Sequence, residues 1–172
     1  MYKDEFTDLL VKGLKEGIPA VLKEYGDEDI YILSFEADNL TTPDSEYTFT
    51  FYVNTEEHHK MNLEDACDDD WYYRFCEYEW YIIGEPEFLT EARNFLTDGY
   101  ASMSRDEVYE CFVQAIEKLR AEKFFDSLYP HFIFISMNAT ECFSEEDMID
   151  FVIRMNGKEN CTDYIENIEA FF

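Results

Sequence analysis

Two segments of the sequence carry a complete signal for the start of an α-helix. Ser104 with Glu107, and Ser144 with Asp147, have the three-residue spacing of a capping box, in which each side chain bonds to the other residue's backbone N–H. Apolar residues at helical spacing follow both signals, and Gly157 is placed to end the second helix. The sequence therefore predicts two amphipathic helices in its C-terminal half.

The N-terminal segment, up to Tyr25, also has its apolar residues at helical spacing. Gly17 and Pro19 interrupt that spacing, and a proline inside a helix removes a backbone donor. We therefore expect a kinked helix or two consecutive helices here. Shorter helices are predicted after Thr55, over residues 86–96 and over residues 162–170.

Three segments are predicted to be strands. Ile30 to Phe35 is rich in Ile and aromatic residues, Tyr47 to Val53 alternates aromatic residues with Thr and predicts one wet face, and His131 to Met137 is a continuous apolar run. Trp71 to Ile83 is dense in aromatic residues, and its later part fits a strand or an irregular loop equally well. The sequence thus predicts an α/β (α+β) fold: one modest β-sheet with helices packed against it, in a single layered domain over residues 1–172.

The charge of the chain limits its partners. Forty Asp and Glu residues against thirteen Lys and Arg residues give a net charge of −27, whereas a small soluble domain typically carries about 2–8 in magnitude. A salt-adapted proteome would produce such a composition without any binding role. If the charge does have a binding role, it disfavours direct contact with nucleic acid or anionic membranes and favours a basic protein partner. No segment approaches the ~20 apolar residues of a membrane span, and no signal peptide is recognisable, so a cytoplasmic location is expected.

The acidic residues are concentrated in one part of the sequence. Between Asp27 and Ala92 there are nineteen acidic residues against two basic ones, Lys60 and Arg74, a net charge of −17. The same stretch holds both tryptophans, whose large rings could anchor an interface that the acidic residues steer a partner toward. The predicted partner-binding residues are Asp68, Asp69, Asp70, Glu77 and Glu79 for steering, with Trp71 or Trp80 as the anchor.

No residue pattern in the sequence indicates a catalytic, cofactor or metal site. His58 and His59 are adjacent, so they cannot easily bind one ion, and we expect them on an exposed polar turn or helix face. His131, at the head of an apolar run, is expected to be a hydrogen-bonded structural histidine. Glu77 and Glu79 are two nearby carboxylates that could serve acid/base catalysis, as in glycosidases. With forty acidic residues in the chain, however, such pairs arise by chance. The five cysteines contain no Cys-x-x-Cys pair and are expected to stay reduced.

Several short motifs occur in the order found in a known bacterial family. They are the strand Ile30 to Phe35, the turn Asn54-Thr55-Glu56, the pair Glu79-Trp80, the helix ending at Leu119-Arg120 before the strand that reaches Met137, and Asn156 near the close of a later helix. In these features the chain resembles the family described as domain of unknown function 4303, from which it departs by its extreme acidity. The resemblance implies a compact α/β domain and no established activity.

Three functions are compatible with these observations. The first is a non-catalytic acidic binding protein, by analogy with bacterial immunity proteins or inhibitors that neutralise a basic toxin such as a nuclease. For this function, replacing Asp68, Asp69 and Asp70 by Asn is expected to lower the association rate more than it raises the dissociation rate. The second is an enzyme of unknown substrate that uses clustered carboxylates, with or without a divalent metal. The third is a DNA mimic that regulates a nucleic-acid-binding protein.

Overall fold

A mixed four-stranded sheet organises the chain in the computed structural model, which describes residues 2–38, 48–64, 70–97, 103–139 and 141–168. The strands are β1 (Ile30–Asp38), β2 (Thr48–Thr55), β3 (Tyr81–Gly84) and β4 (Phe134–Met137), in the spatial order β3-β2-β1-β4. The helices are α1 (Tyr2–Glu24), α2 (Glu56–Glu64), α3 (Asp70–Phe75), α4 (Thr90–Thr97), α5 (Arg105–Ala121), α6 (Phe124–Leu128), α7 (Glu145–Asn156) and α8 (Thr162–Asn167). Three short 3-10 turns lie at Glu77–Glu79, Glu87–Leu89 and Lys158–Asn160. This arrangement confirms the predicted α+β fold with one modest sheet.

The sheet combines antiparallel and parallel pairing. β1 pairs with β2 from Ile30↔Thr55 to Asp38↔Thr48, with a bulge between Ile30 and Ile32, and β2 pairs antiparallel with β3. β4 lies on the other side of β1 and runs parallel to it, so that Ser34 and Ser136 are register partners. The connection from β3 to β4 contains α4, α5 and α6. A long connection of this kind is needed because β4 joins the sheet in parallel orientation.

One face of the sheet packs on α1 and α5. The ring of Phe35 on β1 stacks on Phe112 of α5 with 4.2 Å between centroids, and the Tyr109 hydroxyl accepts from the Ala37 N–H and donates to the Asn138 carbonyl. The buried face of α1 includes Phe6, Leu10, Leu14, Ile18 and Val21. This shared core fixes both helices against the sheet.

Of the two alternatives predicted for the N-terminal segment, a kinked helix or two consecutive helices, the second is wrong. α1 is one continuous helix over 23 residues, and Pro19 lies inside it. Residues on both sides of the proline, Ile18 and Val21 among them, are buried against the same core. That packing holds the two halves in one helix despite the missing backbone donor.

Both predicted capping boxes are confirmed. The Ser104 side chain accepts from Glu107 N and the Glu107 carboxylate accepts from Ser104 N; Ser144 and Asp147 make the corresponding pair. α7 ends at Asn156, and Gly157 follows with a φ of 79°, a left-handed conformation that favours glycine. Thr55 caps α2, since its hydroxyl accepts from His58 N at 3.1 Å. These start signals succeed because they depend on local spacing alone.

Two strand predictions need correction. The predicted wet face of β2 holds only at Thr48 and Thr50, because from Phe51 onward both faces of the strand are buried; Tyr47 lies outside the described residues. β4 begins at Phe134 and not at His131, since its pairing with β1 starts at Ile32↔Phe134. His131 is therefore exposed ahead of the strand, with its ring edge-on to Tyr129, and the prediction of a hydrogen-bonded structural histidine is wrong.

The outer edge of β4 is covered by side chains. The Asn156 amide accepts from Ile135 N and donates to Ile135 O, both at 2.8 Å. Arg120 donates to the carbonyls of Met155 and Ile133 and to Asn156 Oδ1, while its guanidinium lies between the rings of Phe125 and Phe132. Burial lowers the pKa of Arg120 to about 10. The two residues close this edge of the sheet.

Candidate functional site

The predicted acidic triplet is only partly described. Asp68 and Asp69 lie outside the described residues, and Asp70 begins α3. The Asp70 side chain is 69% exposed, and its carboxylate lies 2.9 Å from Nε2 of His59. Asp70 is thus a surface carboxylate, as the steering hypothesis requires, but it has an internal partner.

The two tryptophans occupy different environments. Trp71 is half-buried on α3, with its ring edge-on to Tyr72 at 6.1 Å. Trp80 is 5% exposed, and its indole N–H donates to the Tyr73 carbonyl. Trp80 is therefore part of the core, and a role as a surface anchor is wrong for it; Trp71 is the tryptophan that keeps some surface.

Glu77 is a half-buried residue whose carboxyl group is held against the sheet. Its Oε1 accepts from the hydroxyls of Ser34 at 3.0 Å and Ser136 at 3.4 Å, on neighbouring strands of the sheet. Desolvation raises the pKa of Glu77 to about 7, and the hydrogen bonds from the two serines oppose that rise. The hydrogen bonds hold the Glu77 carboxyl group against the sheet, and its part in steering a partner stays a prediction.

Aromatic and acidic groups surround the Glu77 carboxylate. Tyr164 of α8 packs edge-on to Phe75 at 5.4 Å and lies 5.6 Å from Phe134, and the charge of Glu77 adds to the burial that raises the pKa of the Tyr164 phenol. On the other side the charge of Glu36 contributes to the raised pKa of Glu77, and Glu36 accepts a hydrogen bond from the Tyr52 hydroxyl. The second face of the sheet therefore carries a partly buried polar cluster that the sequence did not reveal.

Glu79 contributes its backbone to the packing of α2. Its carbonyl oxygen lies 2.7 Å from Nε2 of His58 and accepts from the Asn62 side chain at 3.1 Å. The carboxylate keeps partial exposure, so Glu79 remains available for steering. The turn Glu77–Glu79 is in this way fixed both to the sheet and to α2.

The two histidines of α2 are not on an exposed polar face. His59 is 3% exposed, with Nε2 3.1 Å from the Asp70 carbonyl, and His58 packs on the Tyr81 ring at 4.1 Å. The prediction of an exposed turn or helix face is therefore wrong for His59 and only partly right for His58. Both rings help to position α3 and β3 against α2.

An acidic, aromatic surface lies where α1, β3 and α2 meet. Tyr25 and Tyr81 stack at 5.3 Å between centroids, and both rings keep partial exposure. Burial raises the pKa of each phenol, and nearby carboxylates add to the effect: Glu24 and Glu28 at Tyr25, Glu28 and Glu57 at Tyr81. We call these five residues the acidic corner.

Local hydrogen bonds fix the backbone of the acidic corner. Glu57 accepts from Asp29 N at 2.8 Å, and Glu28 accepts from the Thr55 hydroxyl at 2.7 Å. Glu56 N donates to the Asp29 carbonyl. Among the described residues, none of the corner carboxylates has a Lys or Arg within ion-pair distance. The backbone of the acidic corner is thus held in place within the protein itself, and its surface is negatively charged.

The helical layer differs from the acidic corner, because five of its basic residues are paired with carboxylates within the molecule. Four lysine pairs join its helices: Lys3 with Glu107, Lys12 with Glu91, Lys15 with Glu122, and Lys118 with Asp8. Arg154 of α7 binds Glu110 and Glu117 of α5 with donor–acceptor distances of 2.8–3.1 Å. The charge polarity expected from the sequence therefore has a counterpart in the fold.

Other chemical groups point to no second kind of site. Within the described ranges, no three His, Cys, Asp or Glu side chains converge in a way that could hold a metal ion. The four cysteines within those ranges, at positions 76, 111, 142 and 161, form no disulfide with one another, and Cys67 lies outside those ranges. Of the helices that the structure describes, none combines the length and apolar character of a membrane span.

Comparison with known proteins gives one match. The chain matches neither a curated protein nor a solved structure. The family model for the domain of unknown function DUF4303 matches residues 10–157, which covers β1 through α7 and most of α1. The resemblance read from the short sequence motifs is thereby confirmed. The chain belongs to the DUF4303 family.

Proposed function

We propose that the protein is a non-catalytic binding protein of the bacterial cytoplasm that docks on a basic protein through the acidic corner. The partner class that fits best is a basic toxin, such as a nuclease, which the protein would neutralise as an immunity protein or inhibitor. Its negative surface would then occupy the groove that the toxin uses for phosphate.

The observation that carries this proposal is the unbalanced charge of the corner. Glu24, Glu28 and Glu57 lie near two partly exposed tyrosines, while five of the basic residues, Lys3, Lys12, Lys15, Lys118 and Arg154, are used in ion pairs elsewhere. Such a surface attracts a cationic protein from a distance, and the tyrosines supply contact area once it arrives. A purely solubilising charge would need neither the convergence nor the aromatic stack.

A neighbouring part of the surface belongs to the same proposal. Asp70 and the partly exposed Trp71 lie on α3, directly after Asp68 and Asp69 in sequence. Replacing Asp68, Asp69 and Asp70 together by Asn tests whether this segment takes part in steering. The expected result is that the association rate falls by a larger factor than the dissociation rate rises.

The decisive experiment uses the product of the reading frame adjacent to this one. Co-expression is expected to protect cells from that product, and the purified complex is expected to associate more slowly as salt increases. The variant E24Q/E57Q removes two exposed corner charges and should lower the association rate by about tenfold. The matched variant E141Q/E146Q removes two exposed charges near α7 and should leave the rate almost unchanged. Equal rates for the two variants, or no protection, would contradict the proposal.

Glu77 supports a second candidate function. A carboxyl group with a pKa near 7 has the property expected of a general acid or base, so an enzyme that uses carboxylates is the alternative. Thermal unfolding with and without Mg²⁺, Mn²⁺ or Ca²⁺ tests its metal-dependent form, for which one ion should give a saturable shift. The DNA-mimic function shares the electrostatics of the main proposal and differs only in the partner, a nucleic-acid-binding regulator.

A further inference from the structure

We infer that the outer edge of β3 is the docking line for an extended, Lys- or Arg-rich segment of the partner, which adds to the sheet as a fifth strand. This inference rests on the proposed function and names how the partner is recognised. Strand addition uses backbone hydrogen bonds for affinity and alternate side chains for specificity.

The two edges of the sheet differ in a way that singles out β3. At the β4 edge, Asn156 occupies both the donor and the acceptor of Ile135. At the β3 edge, no group of the described residues beyond β2 is bonded to the backbone of Tyr81–Gly84. Among the described residues, one edge is closed by the chain's own side chains, and the other has no bonded neighbour on its outer side.

The β3 edge lacks the side chains that usually protect such a position. Proteins commonly place Lys, other charges or Pro on an exposed edge strand to prevent pairing. β3 reads Tyr-Ile-Ile-Gly, and Ile82 is 64% exposed. The exposed Ile82 side chain can make an apolar contact with an incoming strand, and β3 itself contains no charged residue that would oppose the pairing.

The side chains of β3 point to both faces and set what the partner must offer. Ile82 is the register partner of Tyr52, and the neighbouring Tyr81 points to the opposite face, where it stacks on Tyr25. The carboxylates of Glu28 and Glu57 lie close enough to Tyr81 to raise its pKa. A strand that carries a basic residue toward Tyr81 and an apolar residue toward Ile82 complements both faces.

Charge also selects among possible occupants. A second copy of this chain would bring another net charge of −27 to the same edge, which repulsion opposes. An acidic strand meets the same repulsion, and a neutral strand gains nothing from the corner. A cationic segment is the occupant that the surroundings favour, and the four-residue length of β3 limits the pairing to a short stretch.

The test uses a short blocked peptide of alternating Lys and Val and the intact protein at low ionic strength. The expected result is saturable binding in which the amide resonances of residues 81–84 shift and their exchange with solvent slows. A peptide of the same sequence, N-methylated along one edge, keeps the charge but loses the backbone donors and should not bind. An alternating Glu and Val peptide should also fail to bind.

Two protein variants make the test site-specific. I82K removes the apolar contact and should weaken peptide binding by about tenfold or more. Y2K introduces the same charge at another exposed apolar residue, at the far end of α1 from Tyr25, and should change binding by less than about twofold.

The outcomes separate this inference from the proposed function. Equal binding of the N-methylated and unmodified peptides, equal effects of I82K and Y2K, or no peptide binding at all would overturn strand addition. None of these results affects the protection and rate measurements with the adjacent gene product. Concentration-dependent dimerisation of the protein that I82K abolishes would assign the edge to a second copy and likewise overturn the inference.

Discussion

The side-chain amide of Asn156 pairs with the backbone of Ile135 as a neighbouring strand would, with one donated and one accepted hydrogen bond of 2.8 Å each. The amide nitrogen also donates to Val152 O within α7. A single residue at the end of a helix thus substitutes for the missing neighbour of β4. This gives a physical role to the asparagine that the family resemblance included.

Replacing Asn156 by Ala is expected to destabilise the protein by roughly 2–5 kcal/mol, because it leaves the N–H and carbonyl of Ile135 buried without partners. Urea unfolding measures the change. Asn160→Ala removes an exposed side chain that donates to the Asn156 carbonyl, and it serves as the control, with an expected loss below about 1 kcal/mol. If the two variants lose the same free energy of unfolding, the pairing of Asn156 with Ile135 does not contribute to stability as proposed.

Arg120→Lys tests the second residue that closes the β4 edge. Lysine lacks the planar fork that reaches Met155 O, Ile133 O and Asn156 Oδ1 together, so the expected loss is about 2–4 kcal/mol. Lys118→Gln, on the same helix, breaks an exposed ion pair with Asp8 and should cost less than about 1 kcal/mol. Thermal unfolding of both variants gives the comparison, and a tolerated Arg120→Lys would contradict the assigned role.

Glu77→Gln should remove a pH dependence of stability. The pKa of Glu77 rises from 4.5 to about 7 on folding, so the folded state holds the proton more tightly. Wild-type stability is therefore expected to fall as pH rises from about 4.5 to about 7, by roughly 3 kcal/mol from this residue, and to lose no more from it at higher pH. Gln keeps the oxygen that accepts from Ser34 and Ser136, so the variant should be the more stable protein at pH 8 and similar near pH 4.5.

Urea unfolding of wild type and Glu77→Gln across that pH range tests this prediction. Glu79→Gln removes one negative charge from the same turn and is the matched control. A difference between wild type and Glu77→Gln that stays constant with pH would mean that Glu77 does not titrate in this range.

Gly13 and Gly17 of α1 allow the close approach of Phe88. A Cβ at Gly13 would lie 2.2 Å from the Phe88 carbonyl oxygen, and one at Gly17 would lie 2.0 Å from Cγ of the Phe88 ring. Gly→Ala inside a helix ordinarily stabilises by about 1 kcal/mol, but here both substitutions are expected to destabilise. Adding Phe88→Ala should relieve the clash in Gly17→Ala and not in Gly13→Ala, because only the former involves the ring. Denaturant unfolding of the single and double variants measures the coupling, which should be absent if the helix can shift away.

The sequence predicted the parts of the fold that depend on local patterns. Ser104 and Ser144 cap their helices as expected, because a capping box needs only neighbouring residues. The continuity of α1 through Pro19 was not predictable in this way, because it depends on packing against β-strands and α5. The start of β4 at Phe134 likewise depends on its register with β1, which no local pattern encodes.

The candidate site was predictable in charge but not in position. The acidic stretch between Asp27 and Ala92 contains Glu28 and Glu57 of the acidic corner, whereas Glu24 precedes that stretch. The roles of individual acidic residues could not be predicted. Glu77 and Glu79 lie two residues apart in the sequence, but it is Glu77 whose carboxylate accepts hydrogen bonds from Ser34 and Ser136. The burial of Trp80 was not predictable either, because it depends on tertiary packing; its indole N–H donates to the carbonyl of Tyr73 in α3.

The closed edge at β4 also limits how copies of this chain can associate. A sheet with two open edges can grow into a filament, because each added copy offers a new edge to the next. In the described part of this chain Asn156 blocks one edge, so pairing through β3 would consume the remaining one and stop at two molecules. The Asn156 side chain at the end of α7 thereby prevents polymerisation by successive strand pairing, although the β3 edge could still pair with one other strand.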